Sequence, residues 1–249
     1  MNKLCVMVGL PGSGKSTLAQ ILVAAHGFVV HSSDDIRFEL YKDYGDTKHN
    51  NEVFNELHRR IKTDLMNGKN VIYDATNISM RRRMAFLREI KRIPGCEKIA
   101  IVVATPYEMC LERNKKREHQ VPESVIARMY RNFYIPQLYE GWDAVNFHFP
   151  INLPSMSIDE YLDALSQIPQ DNPYHTLTIG DHCKKCAEIA SEMDTSPSLY
   201  YAALLHDIGK RFTKQFTTIK GEPTTIAHYY QHHLVSAYEA MFYLRGVKD

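Results

Sequence analysis

The chain has 249 residues, of which 44% are hydrophobic and 24% are charged. Its net charge of +1 excludes a uniformly basic nucleic-acid coat and an acidic tail. The five cysteines are scattered along the chain, which does not suit a secreted disulfide framework. No apolar run approaches the ~20 residues of a membrane span. The N-terminal residues leave no room for a signal peptide. We therefore expect a cytoplasmic protein that does not enter a membrane.

One stretch of the chain is locally basic. Between Ser79 and Tyr134 there are 13 lysines and arginines but only 6 acidic residues. Such a stretch usually forms a solvated helix face, but it also suits the binding of an anionic substrate. Both interpretations stay open at this point.

Strand and helix patterns alternate through the first part of the chain. Short apolar runs predict strands at Lys3–Val8, Phe28–His31, Asn70–Tyr73, Lys98–Ala104 and Val145–Phe149. Amphipathic spacing and capping residues predict helices at Ser16–Ala25, Asn51–Met66 and Tyr107–Arg117, one that Asn77 or Ser79 caps, and one that starts at Pro122. This alternation predicts an α/β fold in which a parallel sheet carries helices on both faces.

The pattern changes after about Ile168. The polar, proline-rich segment Ile168–Pro173 is typical of a connector, and no strand pattern follows it. Helices are predicted at Thr178–Met193, Ser198–Leu205 and Tyr229–Leu244, and half of the 12 histidines lie after residue 174. We therefore predict two domains: an α/β domain over residues 1–167, and a smaller all-α domain over residues 168–249.

A glycine-rich motif follows the first predicted strand. Residues 9–17, GLPGSGKST, fit the pattern GxxxxGK[ST] between a strand and a helix, which is the context that a phosphate-binding loop requires. Glycines let backbone N–H groups surround phosphates, and the helix N-terminus favours negative charge. We expect ATP, or GTP, to be held here by Gly12, Ser13, Gly14, Lys15, Ser16 and Thr17. In this arrangement Lys15 reaches the β- and γ-phosphates and Ser16 holds Mg²⁺.

A possible acceptor site follows the second predicted strand. Asp34 and Arg37 stand at its carboxyl end, where ligands bind in open α/β sheets. Asp34 can take the proton of an attacking hydroxyl, and Arg37 can hold a phosphate of the acceptor. The alternative is that Asp34 only caps the next helix.

Two further features complete the predicted site. Asp74 ends the third strand, where it can support Mg²⁺ or orient Ser16, or serve only as a turn residue. Arg113 and Arg117 frame a basic segment that suits a lid over transferring phosphates, or merely a solvated helix end.

Together, GLPGSGKST, SSDDIR, YDATN and ERNKKR followed by VPESVIARMY resemble the 5′-kinase domain of polynucleotide kinases over about residues 1–150. The resemblance implies that Asp34 is the general base, that Arg37 contacts the acceptor nucleotide, and that Arg113 and Arg117 are lid residues on the donor phosphates. The implied acceptor is a 5′-OH end of RNA or DNA. Related kinases of nucleosides, sugars or antibiotics share parts of this layout and remain an alternative.

A second motif lies in the predicted helical domain. His206 and Asp207 are adjacent near a helix end, and His182 lies on an earlier helix. Imidazole and carboxylate groups from separate helices can converge on one divalent ion. The sequence around these residues resembles that of the HD phosphohydrolase superfamily. That resemblance implies metal ligands at His182, His206 and Asp207, a phosphate contact at Lys210, and second-metal or substrate residues at His228 and His232.

The implied metal is a divalent ion such as Mn²⁺, Ni²⁺, Co²⁺ or Fe²⁺, and the implied activity is removal of phosphate from a 3′ end, a 2′,3′-cyclic phosphate or a nucleotide. The superfamily has a last Asp ligand further along the chain, so we expect either a truncated or a degraded module here. A degraded module suggests a third function, a nucleotide-gated binding module. Cys183 and Cys186 form a single CxxC pair, which we interpret as helix-face residues; the less favoured alternative is a zinc site.

Overall fold

A computed structural model describes residues 2–150, 157–193 and 196–245 and divides the chain into two compact units. The described residues of the first unit are 2–130 and 134–150, and those of the second are 131–133, 157–193 and 196–245. Each unit has its own cluster of buried apolar side chains. No helix among these residues combines the length and the apolar character that a membrane crossing requires.

The first unit is built on a sheet of five parallel strands in the order β2-β3-β1-β4-β5. The strands are β1 (Asn2–Val8), β2 (Val29–Ser32), β3 (Val71–Asp74), β4 (Cys96–Val103) and β5 (Ala144–His148). Every predicted strand is confirmed to within two residues at each end. Apolar runs of this length have one stable place in an α/β domain, the buried sheet.

Six helices and one short 3₁₀ turn surround this sheet. They are α1 (Lys15–His26), α2 (Ser33–Tyr41), α3 (Asn50–Met66), α4 (Met80–Ile90), α5 (Tyr107–Lys115), α6 (Glu123–Arg131) and the 3₁₀ turn Leu138–Glu140. The predicted α/β class is confirmed. Ser79 caps α4 as one of the two alternatives predicted, because its Oγ accepts a hydrogen bond from the N–H of Arg82 at 3.4 Å. Asn77 instead adopts a positive φ of 46° before it.

The second unit is mainly helical, as predicted. Its helices are α7 (Ile158–Leu165), α8 (Ile179–Met193), α9 (Pro197–Leu205), α10 (Lys210–Thr213) and α11 (His232–Tyr243). The expectation that no strand follows Ile168 is wrong, because β6 (Gln215–Thr217) and β7 (Pro223–His228) form an antiparallel hairpin. Both strands are mostly exposed or half-buried, and β7 starts with a proline and has no apolar run, so neither gives the pattern by which the other strands were predicted.

The second unit also starts earlier than residue 168. Tyr161 and Leu162 of α7 are buried in one cluster with Ile179 and Cys183 of α8. The segment predicted as a connector belongs to the same unit, since Gln170 is buried there. The second unit therefore includes α7, because the apolar face of this helix packs on α8. The predicted start at residue 168 was based only on the change in composition.

Candidate functional site

The phosphate-binding loop, residues 9–17, joins β1 to α1 as predicted. Gly12 has a φ of 82°, and a Cβ added there would lie 2.4 Å from the carbonyl oxygen of Cys110, so only glycine fits. The Thr105 hydroxyl donates a hydrogen bond to the carbonyl oxygen of Ser13 at 2.8 Å. Neighbouring elements therefore hold the loop in its curved form.

The Lys15 side chain turns back into this loop. Its Nζ donates to the carbonyl oxygen of Leu10 at 2.7 Å, and the residue is only 8% exposed. Burial lowers the pKa of Lys15, while the carboxylates of Asp74 and Asp34 oppose that shift. The cation is thus held inside the loop with two acidic side chains within electrostatic reach.

Asp74 lies at the end of β3 and faces the start of α1. Its carboxylate accepts a hydrogen bond from the Ser16 hydroxyl. Burial raises the pKa of Asp74, and Lys15 together with Ser16 opposes this rise. A hydroxyl and a carboxylate side by side offer hard oxygen donors, which fit a Mg²⁺ ion at a nucleotide. Thr17 lies exposed in the same first turn.

Asp34 lies in the first turn of α2, but it is not the cap of this helix. Ser32 is the cap, because its Oγ accepts from the N–H groups of Asp34 and Asp35 at 3.2 and 3.3 Å. The Asp34 side chain is therefore not used for capping, and it is 53% exposed to solvent. Arg37 Nη1 donates to Asp34 Oδ1 at 2.9 Å, while its Nη2 donates to Asn50 Oδ1 at 3.0 Å.

The two predicted lid arginines reach both parts of this site. Arg117 Nη2 lies 3.9 Å from Asp34 Oδ2. Arg113 lies against the phosphate-binding loop, since a Cβ added at Gly14 would be 3.8 Å from its Nη1. The last turn of α5 therefore contributes one guanidinium group, that of Arg113, beside the loop, and the segment after α5 contributes that of Arg117 beside Asp34.

A ladder of aromatic rings stands next to Asp34. Phe38, one residue after Arg37, stacks on Tyr44 with ring centroids 4.6 Å apart. Tyr44 stacks in turn on His119, two residues after Arg117, at 4.1 Å. Phe38 is 39% exposed. The ladder thus connects α2 with the segment that carries the lid arginines, and it offers partly exposed flat surfaces.

The second unit brings three histidines onto one carboxylate. His182 of α8 and His206 after α9 each place Nε2 3.3 Å from Asp207 Oδ2. His232, the first residue of α11, places Nε2 3.2 Å from Asp207 Oδ1. Asp207 is only 4% exposed. Burial alone would raise the pKa of Asp207, but hydrogen bonds from His206, His232 and Lys210 outweigh it and hold that pKa well below its ordinary value.

Backbone carbonyl groups orient two of these rings. Nδ1 of His206 contacts the carbonyl oxygen of Ala203 at 2.7 Å, and Nδ1 of His232 contacts that of Tyr229 at 2.7 Å. A carbonyl oxygen only accepts, so each Nδ1 carries the proton and each Nε2 is directed at Asp207. Histidines that bind a metal commonly donate their other ring N–H to a carbonyl oxygen in this way. The donor set therefore fits a divalent ion.

The remaining predicted residues line the same cavity of about 470 Å³. Lys210 Nζ is paired with Asp207 Oδ2 at 2.7 Å and donates to Gln170 Oε1 at 2.7 Å. His228 stacks on Tyr230 at 5.3 Å, on the hairpin side of the cavity. The structure thus places Lys210 beside Asp207 and its three histidines, and His228 at the edge of the same cavity. The roles assigned to both stay predictions.

Several residues of these sites were not found from sequence. Asn50, which holds Arg37, and Gln170, which holds Lys210, lie 13 and 40 residues from their partners and leave no local signal. His175 also lines the cavity and lies 3.5 Å from Lys210 Nζ. Cys186, four residues after His182 on α8, was detectable by its helical spacing.

Three known proteins resemble this chain. An L-seryl-tRNA(Sec) kinase of Methanococcus maripaludis is 26% identical over 79% of this chain and 76% of its own length. A protein of Autographa californica nuclear polyhedrosis virus, provisionally named a bifunctional polynucleotide kinase/RNA ligase, is 25% identical over 90% of this chain. One of Acanthamoeba polyphaga mimivirus, provisionally named a bifunctional polynucleotide phosphatase/kinase, is 29% identical over 59% of this chain.

The chain spans about a third of each viral relative, 32% and 34% of their lengths. The relatives bear out the resemblance to polynucleotide kinases stated from the motifs. A family model described as an HD domain matches residues 179–242, which contain the histidine cluster. A model described as an AAA domain matches residues 4–136, more than half of the chain. With the phosphate-binding loop and parallel sheet inside that match, the chain belongs to the AAA-domain family and carries an HD domain behind it.

Proposed function

We propose that the first unit transfers the γ-phosphoryl group of ATP to a 5′-OH end of RNA or DNA. One observation carries this proposal: the exposed carboxylate of Asp34 lies between the guanidinium groups of Arg37 and Arg117, within electrostatic reach of Lys15 in the phosphate-binding loop. A base for the attacking hydroxyl and cations for the transferring phosphate are thus together at one sheet edge.

Each side chain has a distinct task in this reaction. Asp34 accepts the proton of the attacking hydroxyl, and Arg37, held by Asn50, binds a phosphate of the acceptor. Lys15 and Arg113 stabilise negative charge on the donor phosphates, and Arg117 stabilises negative charge next to the acceptor. Ser16 and Asp74 would hold Mg²⁺, which neutralises charge on the phosphates.

The aromatic ladder favours an acceptor that carries a nucleobase over a sugar. Flat rings beside a general base give the base of an acceptor nucleotide a stacking surface, worth ~1–3 kcal/mol per base. A sugar offers Phe38 only its C–H face and no π-system. The two viral relatives named as polynucleotide kinases support the same choice.

The test is transfer of label from γ-³²P-ATP to 5′-OH oligoribonucleotides and oligodeoxyribonucleotides with Mg²⁺. Lys15→Ala is expected to abolish transfer, and Asp34→Asn to slow it by ~10²–10⁴-fold because it removes the base. Asp35→Asn is the matched control: it lies next to Asp34 in the same helical turn and is expected to retain the wild-type rate.

Full activity of Asp34→Asn would overturn the proposed mechanism. Transfer to free nucleosides or sugars that single-stranded oligonucleotides do not inhibit would assign the unit to small-molecule kinases instead. The two oligonucleotides compared at equal concentration decide between RNA and DNA.

For the second unit we propose a metal-dependent phosphohydrolase acting on 3′-phosphate or 2′,3′-cyclic phosphate ends, or on nucleotides. His182, His206 and Asp207 would hold a divalent ion such as Mn²⁺, Ni²⁺, Co²⁺ or Fe²⁺, which would supply an activated water when bound. His232, on the other oxygen of Asp207, stays a second-metal or substrate residue. Lys210 beside the carboxylate suits a phosphate oxygen.

Release of phosphate from a 3′-phosphorylated oligoribonucleotide tests this activity. Each of the four metals is added to metal-free protein, and Asp207→Ala is expected to abolish release. A rate unchanged by Asp207→Ala would contradict the proposal. Tight metal and nucleotide binding without any turnover would favour the nucleotide-gated binding module.

A further inference from the structure

Cys186 differs from the other four cysteines in its surroundings. Cys5, Cys96, Cys110 and Cys183 are buried, whereas Cys186 is partly exposed. Its Sγ lies 3.6 Å from His182 Nε2, the atom that also faces Asp207. A thiol thus stands beside the donor atoms of the second site.

Helix geometry explains why the two cysteines of the CxxC pair are separated. Cys183 faces the core of the second unit, where it is fully buried with Leu162 and Ile179. Cys186 lies one turn after His182 on α8, so the imidazole and the thiol share a helix face. Only Cys186 of this pair reaches the site.

Three of the distances between donor atoms agree with the edges of a tetrahedral ion. Around zinc, with bonds of ~2.0–2.1 Å to nitrogen or oxygen and ~2.3 Å to sulfur, tetrahedral edges are about 3.4 Å between N and O and about 3.6 Å between S and N. His182 Nε2 and His206 Nε2 each lie 3.3 Å from Asp207 Oδ2, and Cys186 Sγ lies 3.6 Å from His182 Nε2. Cys186 Sγ also lies 4.0 Å from His182 Nδ1, so the thiol stands beside the imidazole ring and has to turn toward Nε2 when an ion binds. Donor atoms of His182, Cys186 and His206 all lie within 4.8 Å of one another.

We propose that Cys186 is a thiolate ligand of the ion, completing a four-ligand set with His182, His206 and Asp207. A sulfur donor selects Zn²⁺ or Co²⁺ over Mg²⁺ or Mn²⁺, because soft ligands bind those harder ions weakly. The thiol releases its proton to solvent when the ion binds. His232 contacts the other oxygen of Asp207. Lys210 Nζ lies 2.7 Å from Oδ2 itself, so this oxygen would accept from Lys210 with one lone pair and bind the ion with the other, while Lys210 also donates to Gln170 Oε1.

Cobalt binding tests this ligand set without any measurement of turnover. Metal-free full-length protein is titrated with Co²⁺, and a thiolate-to-cobalt charge-transfer band in the near ultraviolet is expected to saturate at one equivalent. Cys186→Ser is expected to lose the band and to bind Co²⁺ at least about tenfold more weakly. Cys183→Ala, three residues earlier on α8, is the matched control and is expected to keep the band.

A second measurement uses the wild-type chain alone. Zn²⁺ is expected to protect Cys186 from alkylation, located by mass spectrometry, and Mg²⁺ is expected to give no protection. The proposal is overturned if wild-type protein binds Co²⁺ without the band, if Cys186→Ser keeps the band, or if neither Co²⁺ nor Zn²⁺ binds. Failure to release phosphate would remove the proposed hydrolase activity and leave these spectra unchanged.

Discussion

Among single residues, Arg83 is buried although the basic stretch around it predicts an exposed side chain. It belongs to the basic stretch between Ser79 and Tyr134, yet it is 3% exposed. Its guanidinium group donates to both oxygens of Glu140, at 2.8 and 2.6 Å, and to the carbonyl oxygens of Asn77 and Tyr134. Arg83 thus connects the loop after β3 to the segment before β5.

Arg83→Met is expected to destabilise the first unit by ~3–5 kcal/mol, because it leaves the buried carboxylate of Glu140 without its cation. Arg83→Met with Glu140→Leu is expected to lose less than the single variant, since no buried charge remains. Urea unfolding followed by Trp142 fluorescence measures both, because this single tryptophan donates from Nε1 to Glu140 Oε2 at 3.2 Å. A loss below about 1 kcal/mol in the single variant would contradict the argument.

At the scale of elements, the approach of two segments assembles the metal site. The N–H of Gly209 donates to Ser236 Oγ of α11 at 2.9 Å. A Cβ added at Gly209 would lie 2.4 Å from the Ser236 nitrogen and 2.5 Å from the His232 carbonyl oxygen. Only glycine permits this contact, which brings the loop of Asp207 against the first turn of α11.

Gly209→Ala is therefore expected to push the start of α11 away, to destabilise the second unit by ~1–3 kcal/mol, and to weaken Co²⁺ binding as His232 moves from Asp207. Ser236→Ala is the control, because it removes the hydrogen bond but adds no atom; a loss of about 1 kcal/mol is expected. Calorimetry and Co²⁺ titration measure the two effects. Equal losses in both variants would show that crowding is unimportant.

On the scale of the whole molecule, each candidate site belongs to one unit with its own core. The phosphate-binding loop and Asp34 lie in the first unit, and the histidine cluster lies in the second. A ligand that binds only the folded form of one unit stabilises that unit. The two sites should therefore respond separately to their ligands.

Removal of metal with EDTA is expected to lower the melting temperature of the second unit alone. At an ion concentration 100 times the Kd, binding contributes about 2.7 kcal/mol to stability. Calorimetry of the full chain follows both transitions, and fluorescence of Trp142 identifies that of the first unit. ATP with Mg²⁺ is expected to raise only the transition that Trp142 reports. A shift of both transitions on metal removal would contradict this separation.

Sequence patterns predicted much of the architecture. The strands of the parallel sheet, the phosphate-binding loop and the helices α8, α9 and α11 follow from local signals, because hydrophobic period and glycine spacing are properties of neighbouring residues. The hairpin of β6 and β7 and the start of the second unit at α7 were not predicted, because short elements depend on the packing around them.

By itself, the sequence determined which chemical groups are present: a phosphate-binding loop, an acidic residue after β2, and a histidine–aspartate pair in a helical region. Tertiary structure decided their partners. It set Asp34, which does not cap α2, beside Arg117, paired the buried Arg83 with Glu140, and brought His182 to Asp207. Most of these partners are distant in sequence, so only the folding of the chain brings them together, and no local pattern encodes their distances.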